Sequence, residues 1–257
     1  MDSIYRGGVL NIAATGFADG SNGLFVERNP DLITPICVSV QTEASRDQQL
    51  AEFHRSSGPP DVRYDLVRTG IWSDGVTKAP LSKRGWVLQE RALSVRTVHF
   101  GKQQLFWECL CQMASEVHPS LLPKYETMLL PGDLELSPKV ILKPRASAPQ
   151  NQKQMSKEIS KWVNILEMYS KCLLTYPKDK LVAISGMAKF LGENVNSKYL
   201  AGLWEQDVEH QLLWRFDDEP SMGKHTRKRT IHAPSWSWAS IDAPVTIPRW
   251  DSREEAG

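Results

Sequence analysis

Apolar positions along this chain fall into short runs with two different periods. Residues 4–14 read as a short apolar strand or helix end, followed by a Gly/Asn/Asp loop over 16–23. In residues 33–40, Ile36, Val38 and Val40 alternate as a half-buried strand does. Residues 42–57 are polar and predict a solvated helix, ended by Gly58-Pro59-Pro60. Residues 62–68 are strand-like again. Pro80 and Ser82 supply start signals for a helix over 83–93. Two β-rich runs follow, 96–100 and 103–109. Gly101-Lys102 joins them and predicts a tight hairpin.

Residues 138–154 are rich in Pro, Ala, Ser, Gln and Lys and read as a mobile insertion or linker. Three helical stripes lie beyond it. Ile159, Trp162, Val163, Leu166 and Tyr169 form the first, with Lys157, Lys161, Asn164 and Lys171 mostly opposite. Leu181, Ile184, Ala188 and Leu191 form the second. Leu200, Trp204, Val208 and Leu212 form the third. Near the end, Trp236-Ser237-Trp238 alternates like a core-closing strand with both indoles on one face. The expected fold is α/β to α+β. A mixed part with a hairpin spans 1–125, a linker or insertion 126–156, and a helical region closed by a Trp-rich strand 157–250.

Composition narrows the class. Hydrophobic residues make up 41% and charged residues 24% of 257, which fits a globular protein with a sizeable core. A net charge of +1 supplies no global basic field for nucleic acid or an anionic membrane. The basic run Lys224 to Arg229 lies beside acidic Asp217-Asp218-Glu219 and reads as a solvated loop. No apolar stretch approaches the roughly 20 residues that a membrane span needs. The first residues do not pattern as a secretory signal, so a cytoplasmic location is the expectation.

Candidate chemistry is sparse. The four cysteines fit buried thiols in a reducing compartment. Cys109-x-Cys111, with His99 and His118 nearby, offers zinc-type ligands. Its one-residue spacing and the lack of a second pair leave metal unexpected. Neither Cys37 nor Cys172 has local support as a nucleophile. Glu90 is different. On a helix, Trp86, Glu90 and Leu93 share a face, which desolvates the carboxylate if that face is covered. Arg84, Arg91 and Arg96 are its candidate partners. Two readings stay open: a Glu–Arg pair tying the helix to the next strand, or an active-site carboxylate in a cleft.

The run Arg84-Gly85-Trp86-Val87-Leu88-Gln89-Glu90-Arg91-Ala92-Leu93-Ser94-Val95-Arg96-Thr97-Val98-His99-Phe100 resembles the central block of the fungal heterokaryon-incompatibility (HET) domain. Gln104 to Cys109 resembles that block's next strand, and Ala233-Pro234-Ser235-Trp236-Ser237-Trp238-Ala239-Ser240 resembles its distal end. The resemblance covers nearly the whole chain. It implies a role in non-self recognition and programmed cell death, with protein partners or self-association and no cofactor. The family's opening strand and its Cys-Ile-Asp-Gln-like block have no counterpart here. The chain is therefore expected to be a partial domain, from a truncated paralogue or a late gene start, with an apolar sheet edge exposed.

The HET domain is in turn distantly similar to TIR domains. Their enzymes carry Trp-Cys-x-x-Glu on a helix and cleave NAD with that Glu. Trp86-Val87-Leu88-Gln89-Glu90 keeps the spacing, with Val87 in place of the cysteine. The analogy implies Glu90 as catalytic residue, with Trp86, Arg84, Arg91 and Arg96 supporting it and NAD as substrate in an intact form. The missing block counts against activity in this chain. A non-catalytic interaction module is the alternative.

Overall fold

The computed structural model describes residues 2–41 (22 excepted), 61–66, 70–119, 137–143, 149, 151–195, 197–216 and 231–248. Both the solvated helix expected over 42–57 and the basic run 224–229 lie outside the described residues. The architecture is mixed α/β. Helix α1 (Asp2–Gly7) leads to β1 (Asn11–Ala13), then β2 (Ile36–Gln41) and β3 (Asp61–Leu66). A π-helical turn (Ser73–Thr77) and α2 (Gly85–Leu93) precede β4 (Arg96–Phe100), β5 (Leu105–Cys109) and β6 (Met113–Ser115). Beyond these lie α3 (Pro138–Ile141), α4 (Gln152–Ser170) and α5 (Lys180–Gly192). The C-terminal part holds β7 (Tyr199–Leu200), β8 (Leu203–Trp204), α6 (Val208–Gln211), β9 (Arg215–Phe216) and β10 (Val245–Thr246).

The main sheet has the order β1-β4-β5-β6. β1 runs parallel to β4, and the other pairs are antiparallel. β2 and β3 pair only with each other among the described residues. β1 therefore forms an edge, and its Ile12 is 58% exposed, with Val9 and Leu10 exposed just before it. Antiparallel pairing of β4 and β5 brings Phe100 opposite Leu105. The hairpin turn is thus Gly101-Lys102-Gln103-Gln104, longer than the two-residue turn expected, and Gly101 N–H closes it on Gln104 O at 3.1 Å.

One main core joins α2 to α4 and α5. Leu88, Ala92 and Leu93 meet Trp162, Leu166, Ile184 and Met187 there. Asn151 caps α4, accepting from Gln154 N–H through its side chain. The apolar stripe that follows is buried as its spacing predicts: Ile159, Trp162, Val163, Leu166 and Tyr169 all face the core.

Three further expectations differ from what is observed. The stretch read as linker contains α3, whose Lys139 and Ile141 are buried and whose neighbour Leu142 belongs to the main core. Its Pro begins a capped turn here, with Ser137 accepting from Lys139 N–H. The third helical stripe is not a helix. Ala201 (φ 43°) and Gly202 (φ 104°) turn the chain into the β7–β8 hairpin, and only four residues of α6 follow. A Cβ at residue 202 would lie 2.5 Å from Trp238 Nε1, so glycine is required by space as well as by φ. Finally, residues 238–240 form a 3-10 turn. Ser237 caps it, so Trp238 is fully buried while Trp236 is 44% exposed. Trp238 does close the core, but by an indole N–H to Gly202 O at 3.0 Å, beside that of Trp162 at 2.9 Å.

Candidate functional site

Helix α2 carries most of the residues singled out in the sequence. Its N-terminus has no side-chain cap. Gly85 N–H donates instead to Leu173 O at 2.8 Å, in a close approach where a Cβ would lie 2.7 Å from Leu174 Cδ2. Its C-terminal carbonyls meet a buried ammonium. Lys139 Nζ donates to Arg91 O, to Ser94 O at 2.7 Å and to Thr97 Oγ1 at 2.9 Å. A cation at the negative end of the helix dipole stabilises the last turn.

Glu90 is half-buried on the face expected, beside Trp86, which packs against the main core, and Leu93, which is part of it. Burial raises its carboxyl above the usual range, while the Tyr5 hydroxyl and the Arg84 guanidinium pull it partly back. Tyr5, on α1, is pushed up to about 12 by burial and by the Glu90 charge. Of the three arginines proposed as partners, only Arg84 acts on Glu90. Arg96 is exposed at the start of β4 and acts electrostatically on Cys109. Arg91 points away to Glu108.

That second carboxylate is the centre of a buried polar cluster. Arg91 Nε and Nη2 each donate at 2.8 Å to Glu108, whose side chain is fully buried. His99 Nε2 lies 3.2 Å from the same carboxylate, and Ser137 Oγ donates to it at 2.5 Å. His99 Nδ1 meets Thr15 Oγ1 at 2.9 Å. Trp72 stands edge-on to His99, with the Arg91 guanidinium over its ring. Burial alone would raise Glu108, but Arg91 and then His99 hold it well below the carboxylate range. Burial pushes His99 down, and Glu108 offsets this in part. Burial likewise lowers Lys139 to about 8. Every formal charge here has a partner, and none opens to solvent, so the cluster is suited to fixing α2 against β4 and β5.

The remaining polar residue of the motif is also engaged inward. Gln89 is buried and accepts from Gly186 N–H at 2.8 Å, where a Cβ on residue 186 would lie 2.6 Å from Gln89 Oε1. No group of three or more metal-ligating side chains occurs among the described residues, and His99 is turned from Cys109 toward Thr15 and Glu108. Cys172 packs partly buried against the main core, whereas Cys37 and Cys111 are exposed, contrary to the expectation of buried thiols.

Sequence reading located Glu90 and Trp86 on one face but missed Gln89, Glu108, Ser137 and Lys139. Glu108 alternates with apolar Phe106 on the sheet face that carries the buried residues, and an ionisable residue in that phase is the signal that marks it. No protein-family model matches this chain, and no curated protein or solved structure gives a significant match. No helix among the described residues is long and apolar enough to cross a membrane.

Proposed function

We propose that this chain is a HET-type incompatibility module that acts through protein contact, with residues 84–91 serving as its internal brace. The observation that carries the reading is the inward commitment of the motif: Gln89 to α5, Arg91 to β5 and Glu90 to α1. The site is thereby spent on joining three elements. A contact role is supported by the edge strand β1, where Val9, Leu10 and Ile12 are exposed together.

The second reading is NAD cleavage at Glu90. In its favour, the carboxylate is half-buried beside Trp86 and is raised by desolvation. Against it, two cavities among the described residues, one beside Gln104 and one beside Trp107, are not lined by Glu90 or Trp86.

Regulated expression in a filamentous fungus, scored by vital-dye uptake into hyphae, tests the proposal. The chain and its Glu90→Gln variant are expected to kill equally, and Ile12→Asp is expected to lose killing while remaining folded by circular dichroism. Absence of killing by the unaltered chain would overturn the incompatibility reading. Loss of killing in Glu90→Gln alone would overturn the contact mechanism.

A further inference from the structure

The turn between β5 and β6 brings two thiols together outside the 84–91 brace. Along β5, Phe106 and Glu108 are buried, so Trp107 and Cys109 share the opposite, half-buried face. Cys109 is the last residue of that strand, and its N–H donates to Gln112 O at 2.9 Å. Leu110 and Cys111 therefore sit at the tip of a tight turn. Cys109 is partly exposed, Cys111 is exposed, and both are free thiols. The bend shortens two Cα steps of about 3.8 Å each toward the roughly 4.4–6.8 Å that a disulfide spans.

Donors and a cation surround the Cys109 sulfur. The successive backbone N–H groups of Cys111 and Gln112 donate to it, as does the Trp107 indole N–H. Consecutive N–H groups in a turn make a concavity suited to an anion. Arg96 stands directly opposite in the β4–β5 register and adds its positive charge. Burial alone would push this thiol up, but these groups bring it below its usual value. Cys172, the other partly buried cysteine, is the contrast. Its Sγ donates to Met168 O at 3.5 Å and to Ser82 O at 3.8 Å, so carbonyl oxygens face it and favour the neutral thiol. Cys37 lies exposed on the separate β2–β3 pair, opposite Asp65.

We infer that Cys109 and Cys111 form a peroxide-reactive dithiol, with Cys109 the attacking sulfur and Cys111 the resolving one. An accessible thiolate held by N–H donors and a cation, with a second thiol beside it, is the arrangement this chemistry uses. The Cys109 thiolate attacks one oxygen of hydrogen peroxide, the O–O bond breaks, and hydroxide leaves. That hydroxide takes up the proton released from the Cys109 thiol, and Cys109 is left as a sulfenic acid. Cys111 sulfur then attacks Cys109 Sγ. The S–S bond forms as the sulfenic oxygen leaves with the Cys111 proton as water. Two thiols have then lost two electrons, and one peroxide has become two waters. A disulfide that spans a single residue at an exposed turn is strained, so a thiol reductant reopens it.

The test treats the reduced full chain with one equivalent of hydrogen peroxide, quenches with iodoacetamide and digests with trypsin. Residues 103–124 then carry both thiols on one peptide. Mass spectrometry is expected to show that peptide unalkylated and about 2 Da lighter than its dithiol form, appearing about tenfold faster than Cys37 is oxidised. Dithiothreitol should restore it. In Cys111→Ser, Cys109 should stop at the sulfenic acid and be captured by dimedone. In Cys109→Ser, Cys111 should be captured no faster than Cys37. Oxidation of Cys109 no faster than that of Cys37 would overturn the proposal, because exposure alone would then set reactivity. Faster capture at Cys111 in Cys109→Ser than at Cys109 in Cys111→Ser would overturn the assignment of the attacking sulfur. Sulfenic or sulfinic acid persisting at Cys109 in the unaltered chain, with no disulfide, would overturn the part given to Cys111.

Discussion

Replacing Arg91 by Met removes one charge from the buried cluster and leaves its counter-charge behind. Arg91 and Glu108 side chains are 7% and 0% exposed and share two hydrogen bonds of 2.8 Å. Met keeps most of the aliphatic volume, so the loss is chiefly electrostatic. Breaking a buried pair by removing one partner costs about 3–5 kcal/mol, because the remaining charge is stranded. Domain stabilities lie at roughly 5–15 kcal/mol, so the urea midpoint should fall by about a fifth or more. Trp72 packs on both His99 and Arg91, and it is one of nine indoles whose fluorescence follows unfolding. His99 supplies a second check. Arg91 helps hold it down, so in the variant His99 titrates higher and takes up a proton to face Glu108. A folded value below the unfolded one costs stability as pH falls through the unfolded His value, and that cost shrinks once Arg91 no longer adds to the depression. The destabilisation should therefore be smaller at pH 6 than at pH 8. Adding Glu108→Met should recover most of the loss, as apolar replacement of a whole buried pair often does. A loss below about 1 kcal/mol, the range of exposed ion pairs, or strict additivity in the double variant, would refute the structural role given to Arg91.

Three other variants probe neighbouring claims. Glu108 is held below its unfolded value, so its contribution is present above about pH 4.3 and lost as pH falls through the folded value. Glu108→Gln should be less stable at pH 7 yet show a flatter decline between pH 5 and 2 in acid unfolding, about as those principles require. Glu90 is raised instead, so its charged form opposes folding once pH exceeds the unfolded value. Glu90→Gln should then gain roughly 0.5 kcal/mol at neutral pH, after screening of a half-exposed group, and should equal the unaltered chain at pH 3 in urea titrations. Gly202→Ala combines a left-handed φ of 104° with a 2.5 Å approach to Trp238. It should cost more than about 2 kcal/mol by thermal melting.

The legible parts of the fold were those with a local cause. The helix over 83–93 follows from its start signals and apolar spacing, and it appears as α2 preceded by a 3-10 turn at Leu81–Lys83. β4 and β5 follow from β-rich runs. The third stripe misled because Leu200, Trp204 and Val208 keep a four-residue spacing across a hairpin, and two positive φ values at Ala201 and Gly202 override that spacing. The buried cluster was illegible for a different reason. Thr15 and His99 are 84 positions apart, Ser137 and Glu108 29 apart, and such pairings leave no period in the chain. Lys139 was concealed by composition, because a Pro/Ala/Ser/Lys-rich stretch reads as solvated even when one lysine caps a buried helix end. The face shared by Trp86, Glu90 and Leu93 was legible. Which arginine meets Glu90 was not, since Arg84, Arg91 and Arg96 differ only in where the backbone aims them.

On the proposed function, residues 84–91 brace the fold and perform no chemistry. Incubation of the purified, folded chain with NAD, with nicotinamide release followed by chromatography, tests it most directly. No release above that of a heat-denatured control is expected. Release that depends on protein concentration and disappears in Glu90→Gln would contradict it.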